Sequence, residues 1–229
     1  MVRLHNVLRF FGYRFLAVAD YAENRTFFQP EWDRYFKENP RELIRVDYPL
    51  NENSLVIDLG AHTGEHFASK MYSRYSCNIE CYEPHPVTCA ALRETFKYNP
   101  KIRIHEYALS NKNDFLDLEG SDLASSFTAT STGESHVVLV KRASEEFANI
   151  PHINLLKMNI EGAEFEILPD LIENYGMEKI DHVQVQFHTF VPDFKKRKRQ
   201  IITALEQTHD KMWGYENVYE SWSLKSVLH

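Results

Sequence analysis

Leu55-Val56-Ile57-Asp58-Leu59-Gly60-Ala61-His62-Thr63-Gly64 is a short apolar run that ends in an acid and passes into small residues. The aliphatic stretch predicts a buried strand, and the glycines predict a tight turn into a helix opening at Glu65. Helix N-termini carry free N–H groups and partial positive charge, so the turn suits an anionic ligand group. Gly60 and Gly64 stand four apart with Ala61 between them, which is not the G-x-G-x-x-G spacing of dinucleotide-binding turns.

Asn78-Ile79-Glu80-Cys81-Tyr82-Glu83-Pro84 reads as a second strand ending at Glu83, 25 residues after Asp58. In an open α/β sheet an acid at that place can accept hydrogen bonds from both ribose hydroxyls of a nucleoside. A solvent-exposed loop acid is the plain alternative, and the glycine turn at the right distance favours the ribose reading. NAD-dependent enzymes share this acid, so it selects a nucleoside and not a reaction. Pro84 and Pro86 then begin a helix, where proline suits the first turn.

Asn154-Leu155-Leu156-Lys157-Met158-Asn159-Ile160-Glu161-Gly162-Ala163-Glu164 is a buried strand running into another small-residue turn, this one rich in carboxylates. It closely resembles the L-L-K-x-D-x-E-G-x-E signature of FkbM-type methyltransferases. The turn at Asp58 resembles the D-x-G-A-x-x-G motif of class I S-adenosylmethionine-dependent methyltransferases. Ala108-Leu109-Ser110 resembles the family's A-L-S turn, and Ser125-Ser126 its serine pair. These motifs span roughly Leu55 to His188. One departure matters: the family's usual aspartate is Asn159 here. The resemblance implies a Rossmann-like, doubly wound, mostly parallel seven-stranded sheet that binds S-adenosylmethionine and releases S-adenosylhomocysteine. It places Asp58, Gly60, Ala61, His62 and Gly64 along the methionine portion, Glu83 and Pro84 at the ribose, and Ala108 and Leu109 at the adenine. Asn159 would meet the methionine amino group or the acceptor.

The chain has 229 residues, of which 43% are hydrophobic and 26% charged, the balance of a soluble globular α/β domain. We divide it into an N-terminal helical extension, residues 1–50, and a cofactor-binding domain, residues 51–229. Leu4, Leu8, Phe11, Phe15 and Val18 recur at helical spacing, which predicts an amphipathic helix packed on the domain or on a second subunit. Peripheral contact with a membrane surface is the lesser reading. No stretch has the length of a transmembrane span. Cys77, Cys81 and Cys89 show no metal-ligand spacing, and an odd count without a secretory segment argues for a reducing cytoplasm. A net charge of −7 argues against generic nucleic-acid binding.

Outward from the motifs, strands are expected at 55–59, 78–82, 102–107, 154–158 and 182–187, with a C-terminal pair around Met212 to Leu224. Helices are expected at 65–75, 86–98, 163–175 and 193–208, the third kinked or restarted at Pro169. The polar run 120–136 between two apolar stretches predicts a hairpin-like insertion with a loop that serves either as a lid or as nothing in particular. Lys195-Lys196-Arg197-Lys198-Arg199 lies on a helix, where consecutive side chains diverge, so a solvated face is the simple reading, and contact with an anionic glycan, a nucleotide-linked sugar or an acidic membrane surface the alternatives.

Methyl transfer to an alcohol gains from a proton acceptor. His188, at the carboxyl end of the fifth strand, has an unperturbed pKa suited to that role, with an ionisation near 6 to 7; a hydrogen-bonded strand-end histidine is the alternative. Glu161 is the next candidate, and Glu164 either joins it or caps the helix. Asn159 cannot ionise, but it can accept and donate hydrogen bonds. Glu161, Glu164 and His188 are metal-ligand types, though no spacing rule joins them, and we assign no metal. The resemblance thus implies an O-methyltransferase acting on a hydroxyl, for which we favour a carbohydrate or glycan precursor as acceptor. A nicotinamide-dependent oxidoreductase and a non-catalytic cofactor-binding or scaffold protein are the rivals, the second kept alive by Asn159.

Overall fold

The computed structural model describes residues 29–38, 44–119, 135–216 and 218–227. The amphipathic segment around Leu4 to Val18, the serine pair and most of the 120–136 loop lie outside these. The elements are α1 (Gln29–Glu38), β1 (Leu55–Leu59), α2 (Ala68–Tyr75), β2 (Asn78–Tyr82), α3 (Pro86–Phe96), β3 (Ile102–His105), β4 (Ala108–Ser110), β5 (Asp114–Glu119), β6 (Ser135–Arg142), α4 (Ala143–Glu146), β7 (Ile153–Met158), α5 (Glu164–Asn174), β8 (Ile180–Val185), α6 (Phe194–Leu205), β9 (His209–Tyr215) and β10 (Tyr219–Leu224).

The main sheet has seven strands in the order β3-β2-β1-β7-β8-β10-β9. Five are parallel, and β10 runs antiparallel to both β8 and β9. Alternation along each strand feeds two cores. Ile57, Leu59, Leu156 and Met158 face α4, α5 and α6, where Phe147, Phe165, Leu168, Ile201 and Leu205 close the layer. Val56, Ile79, Cys81 and Leu155 face α1, α2 and α3, with Tyr35, Met71 and Leu92. The sheet is doubly wound, as expected. The three cysteines are free and buried. Residues of the N-terminal extension share this second core, since Ile44, Val46 and Tyr48 are buried in it.

Three local expectations fail, each for a visible reason. The helix after β1 begins at Ala68 and not at Glu65, because His62 and Gly64 take positive φ and Gly64 N–H turns back to Ala61 O. The strand expected over 102–107 stops at His105, and the Ala108-Leu109-Ser110 segment, expected as a turn, is strand β4, which pairs with β6. With β5 it forms a second sheet, β4-β6-β5, whose β5–β6 hairpin is the predicted insertion. Pro169 neither ends nor restarts α5, which runs unbroken through it. Proline lacks the N–H that Phe165 O would otherwise receive. Arg197 Nη2 supplies the missing donor at 2.8 Å from α6.

Candidate functional site

One transverse rung organises the site. His105, Tyr82, Leu59, Met158, Val185, Glu220 and Gly214 stand side by side across all seven strands. Just past it come Gly60, Glu83, Asn159 and Gln186, so the glycine turn, the β2 acid and the carboxylate-rich turn share one edge. Strand order reverses between β1, which leads to β2 and β3, and β7, which leads to β8. Open α/β sheets bind ligands beyond the carboxyl ends of their strands at such a reversal.

The turn after β1 is held from within. Asp58 and Lys157 are register partners on β1 and β7, and both are buried. Lys157 Nζ donates to Asp58 Oδ1 at 2.8 Å, to Gly60 O at 2.9 Å and to Leu59 O at 3.3 Å. Asp58 Oδ2 accepts no hydrogen bond. Gly60 and Ala61 both donate their N–H to Tyr82 O, at 3.0 and 3.2 Å. His62 N donates to Glu83 Oε2 at 2.9 Å. The amides of Gly60, Ala61, His62 and Gly64 are therefore engaged inside the protein and are not offered to an anionic ligand group. Gly60, at φ +75°, is required for packing: a Cβ there would lie 2.1 Å from Asn159 O. At Gly64, φ +77°, it would strike the Phe96 ring at 2.4 Å.

Glu83 is buried and receives a second backbone amide, His85 N, on Oε1 at 3.0 Å. Burial pushes its carboxyl up, and the His85 and His62 amides pull the other way without cancelling it. The acid thus ties the β1 turn to the start of α3, and each oxygen keeps a lone pair for a hydroxyl donor. Pro84 is half-buried beside it. His85, 6% exposed, has no hydrogen-bond partner on either ring nitrogen and meets His136 edge-on at 5.2 Å between centroids. On β4, Leu109 is buried in the core while Ala108 is half-buried.

The turn after β7 brings Asn159, Glu161, Glu164 and His188 together. Glu164 is fully buried; its Oε1 accepts His188 N at 2.7 Å and His188 Nδ1 at 3.0 Å, and its Oε2 accepts Gly162 N at 2.9 Å. It anchors the histidine as well as opening α5. Glu161, at φ +50°, is exposed and places Oε1 3.5 Å from His188 Nε2. Burial of the imidazole favours its neutral form, but Glu161 and Glu164 outweigh that and push His188 up to about 10. Glu161 is held low by the same contact despite desolvation. At neutral pH His188 is therefore imidazolium, with no lone pair for a substrate proton. The ionisation near 6 to 7 expected from the sequence does not fit this environment. Asn159 Oδ1 is buried and accepts nothing, a vacancy suited to an ammonium or hydroxyl donor.

Sequence reasoning left Lys157 out of the site, although a lysine inside Leu-Leu-Lys-Met signals a buried cation that needs an acid. The basic run of α6 divides: Arg197 bonds Phe165 O and Glu166, and Lys198 pairs with Glu220 at 2.6 Å. Among the described residues no group of three or more His, Cys, Asp or Glu is placed to hold a metal ion, and none of the helices is long and apolar enough to cross a membrane.

The Methyltransferase FkbM domain matches residues 58–218. The chain is 24% identical over 144 residues to the hexuronic acid methyltransferase AglP of Haloferax volcanii, covering 61% of this chain and 58% of that protein. It thus spans a little over half the length of this curated relative. Among solved structures, the fibrillarin pre-rRNA processing protein of Methanococcus jannaschii aligns with TM-score 0.44 and 12% identity over 78% of this chain and 70% of that one. An rRNA methylase from Streptococcus thermophilus aligns with TM-score 0.45 and 8% identity, covering 76% and 89%.

Proposed function

The chain belongs to the FkbM methyltransferase family, and from that premise we propose that it transfers a methyl group from S-adenosylmethionine to a hydroxyl of a carbohydrate or glycan precursor. Residues 51–229 are the donor-binding domain in this reading, with 1–50 as an extension. The family implies a methyl donor of the S-adenosylmethionine type, which supplies an electrophilic sulfonium methyl. The residues at the sheet edge fit it. Asn159 Oδ1, buried and unpartnered, suits the donor's ammonium group. Glu83 keeps acceptor capacity for the ribose hydroxyls. Gly60, Ala61, His62 and Gly64 form the wall of the methionine portion, and Ala108 and Leu109 lie on the adenine side.

The observation that carries the acceptor half is the Glu161–His188–Glu164 triad. With His188 charged, it holds the Glu161 carboxylate beside the switch point. That arrangement presents a carboxylate oxygen that can accept the hydrogen bond of a hydroxyl. Glu161, exposed and ionised, accepts the hydroxyl's hydrogen bond, aligns its oxygen and takes its proton as the new C–O bond forms. His188 orients Glu161, and Glu164 orients His188. The name of the Haloferax volcanii relative, a hexuronic acid methyltransferase, supports a sugar acceptor.

The test is incubation with radiolabelled S-adenosylmethionine and a panel of monosaccharides, uronic acids and sugar nucleotides. Release of S-adenosylhomocysteine with label in an alkali-stable methyl ether is expected. Label in an alkali-labile ester would overturn the hydroxyl assignment, and a panel without turnover would overturn the carbohydrate one.

A further inference from the structure

A cavity of about 460 Å³ lies between α1, α6, β9 and β10, outside the site described above. Six charged side chains line it: Glu31, Arg34, Lys198, Lys211, Glu216 and Glu220. Three are acids and three are bases, so it carries no net charge to hold a phosphate, and it alternates hydrogen-bond donors with acceptors. Glu220 is only 3% exposed. Lys198 pairs with its Oε1 at 2.6 Å. Oε2 forms an ion pair with Lys211 Nζ 3.2 Å away and accepts no hydrogen bond. A buried carboxylate oxygen beside a cation but without a hydrogen bond keeps its lone pairs for a further donor.

The cavity is in line with the catalytic edge. Glu220 stands on the same rung as Leu59 and Met158, three strand spacings from β1, roughly 14 Å, with Gly214 one spacing further out. Lys198 Nζ also lies 5.0 Å from the Phe187 ring, next in the chain to His188. The roughly 14 Å between Glu220 and β1 exceeds one sugar ring and suits the next ring of a chain.

The geometry points to a second carbohydrate subsite: the cavity holds a hydroxylated ring linked to the one that is methylated, with a ring hydroxyl donating to Glu220 Oε2 and Lys211 and Arg34 donating to its oxygens. This rests on the carbohydrate reading above, and its test reads binding without turnover. Ile202 also lines the cavity. With isoleucine methyls ¹³C-labelled and S-adenosylhomocysteine present, the Ile202 methyl is followed by NMR while glucose, galactose, glucuronic acid, cellobiose, maltose and inorganic phosphate are titrated in turn. A disaccharide should shift it at lower concentration than any monosaccharide, and Lys211→Met, on an exposed side chain, should weaken that binding about tenfold. Glu220→Gln, if it folds, should do the same. An Ile202 methyl silent to every sugar, or responding to phosphate alone, overturns the subsite even if the enzyme methylates sugars. An unchanged disaccharide affinity in Lys211→Met overturns it as well. A response to disaccharides in a protein that methylates no sugar would sever the cavity from the reaction and overturn the carbohydrate reading separately.

Discussion

Replacing Lys157 by methionine isolates the contact on which the first turn depends. Lys157 and Asp58 are 2% and 0% exposed, and the lysine gives hydrogen bonds to one carboxylate oxygen and two backbone carbonyls. Methionine keeps the length of the side chain but leaves Asp58 buried without a cation, its second oxygen already unpartnered. Removing one member of a buried pair costs about 3–5 kcal/mol, most of it the stranded charge. At a urea m-value of about 2–3 kcal/mol/M, the unfolding midpoint should fall by roughly 1–2.5 M. Adding Asp58→Asn removes that charge, so Lys157→Met/Asp58→Asn should recover at least half of the loss. The double variant should still bind S-adenosylhomocysteine poorly by calorimetry, since the Gly60 and Leu59 carbonyls have lost their donor. A single variant within about 1 kcal/mol of wild type, or a double variant no more stable than the single one, would refute the argument.

The remaining predictions concern the other held positions. His188 is raised to about 10, so its contribution to stability is complete below its unfolded value near 6.5 and is lost as pH rises through 10. Its ring should titrate well above pH 8 by NMR, and turnover should show no rise between pH 6 and 7; a midpoint of 6 to 7 would restore His188 as the base. Glu161→Gln should cut turnover roughly 10²–10⁴-fold with S-adenosylhomocysteine affinity intact, and equal loss of both would make it a donor-binding residue. Gly60→Ala should cost about 2–3 kcal/mol in denaturant unfolding, because positive φ and the Asn159 carbonyl both oppose a Cβ, and a neutral effect would contradict that packing. Arg197→Met should cost about 1–3 kcal/mol in wild type and clearly less in a Pro169→Ala background, where the helix regains its own donor; additive losses would mean that Arg197 does not serve Phe165 O.

Periodicity carried most of the fold into the sequence. The β1 and β2 bounds, the crossover helices and the presence of a C-terminal strand pair were legible because each buries a face at a regular interval. The misses lie where tertiary bonding overrides local signal. Pro169 reads as a helix breaker until Arg197, 28 residues away, replaces its N–H. Ala108-Leu109-Ser110 reads as a turn until β6, across the insertion, offers it a partner. At the site, residue types pointed to His188, but its protonation depends on two carboxylates whose distances no spacing rule supplies. In the turn after β1 the glycines were visible, while Tyr82 O, which takes two of its amides, was not.

The shared rung constrains how this chain can change over time. A residue inserted into β1, β7 or β8 upstream of it would turn every later side chain of that strand to the opposite face, sending Asp58 or Lys157 into the wrong core. An insertion just past the rung leaves the pleat untouched and only lengthens a loop over the ligand edge. Length variation compatible with folding is therefore channelled to the loops that leave the strand ends, where we propose that donor and acceptor bind, and new acceptor preferences can arise there while the strands that carry them keep their register.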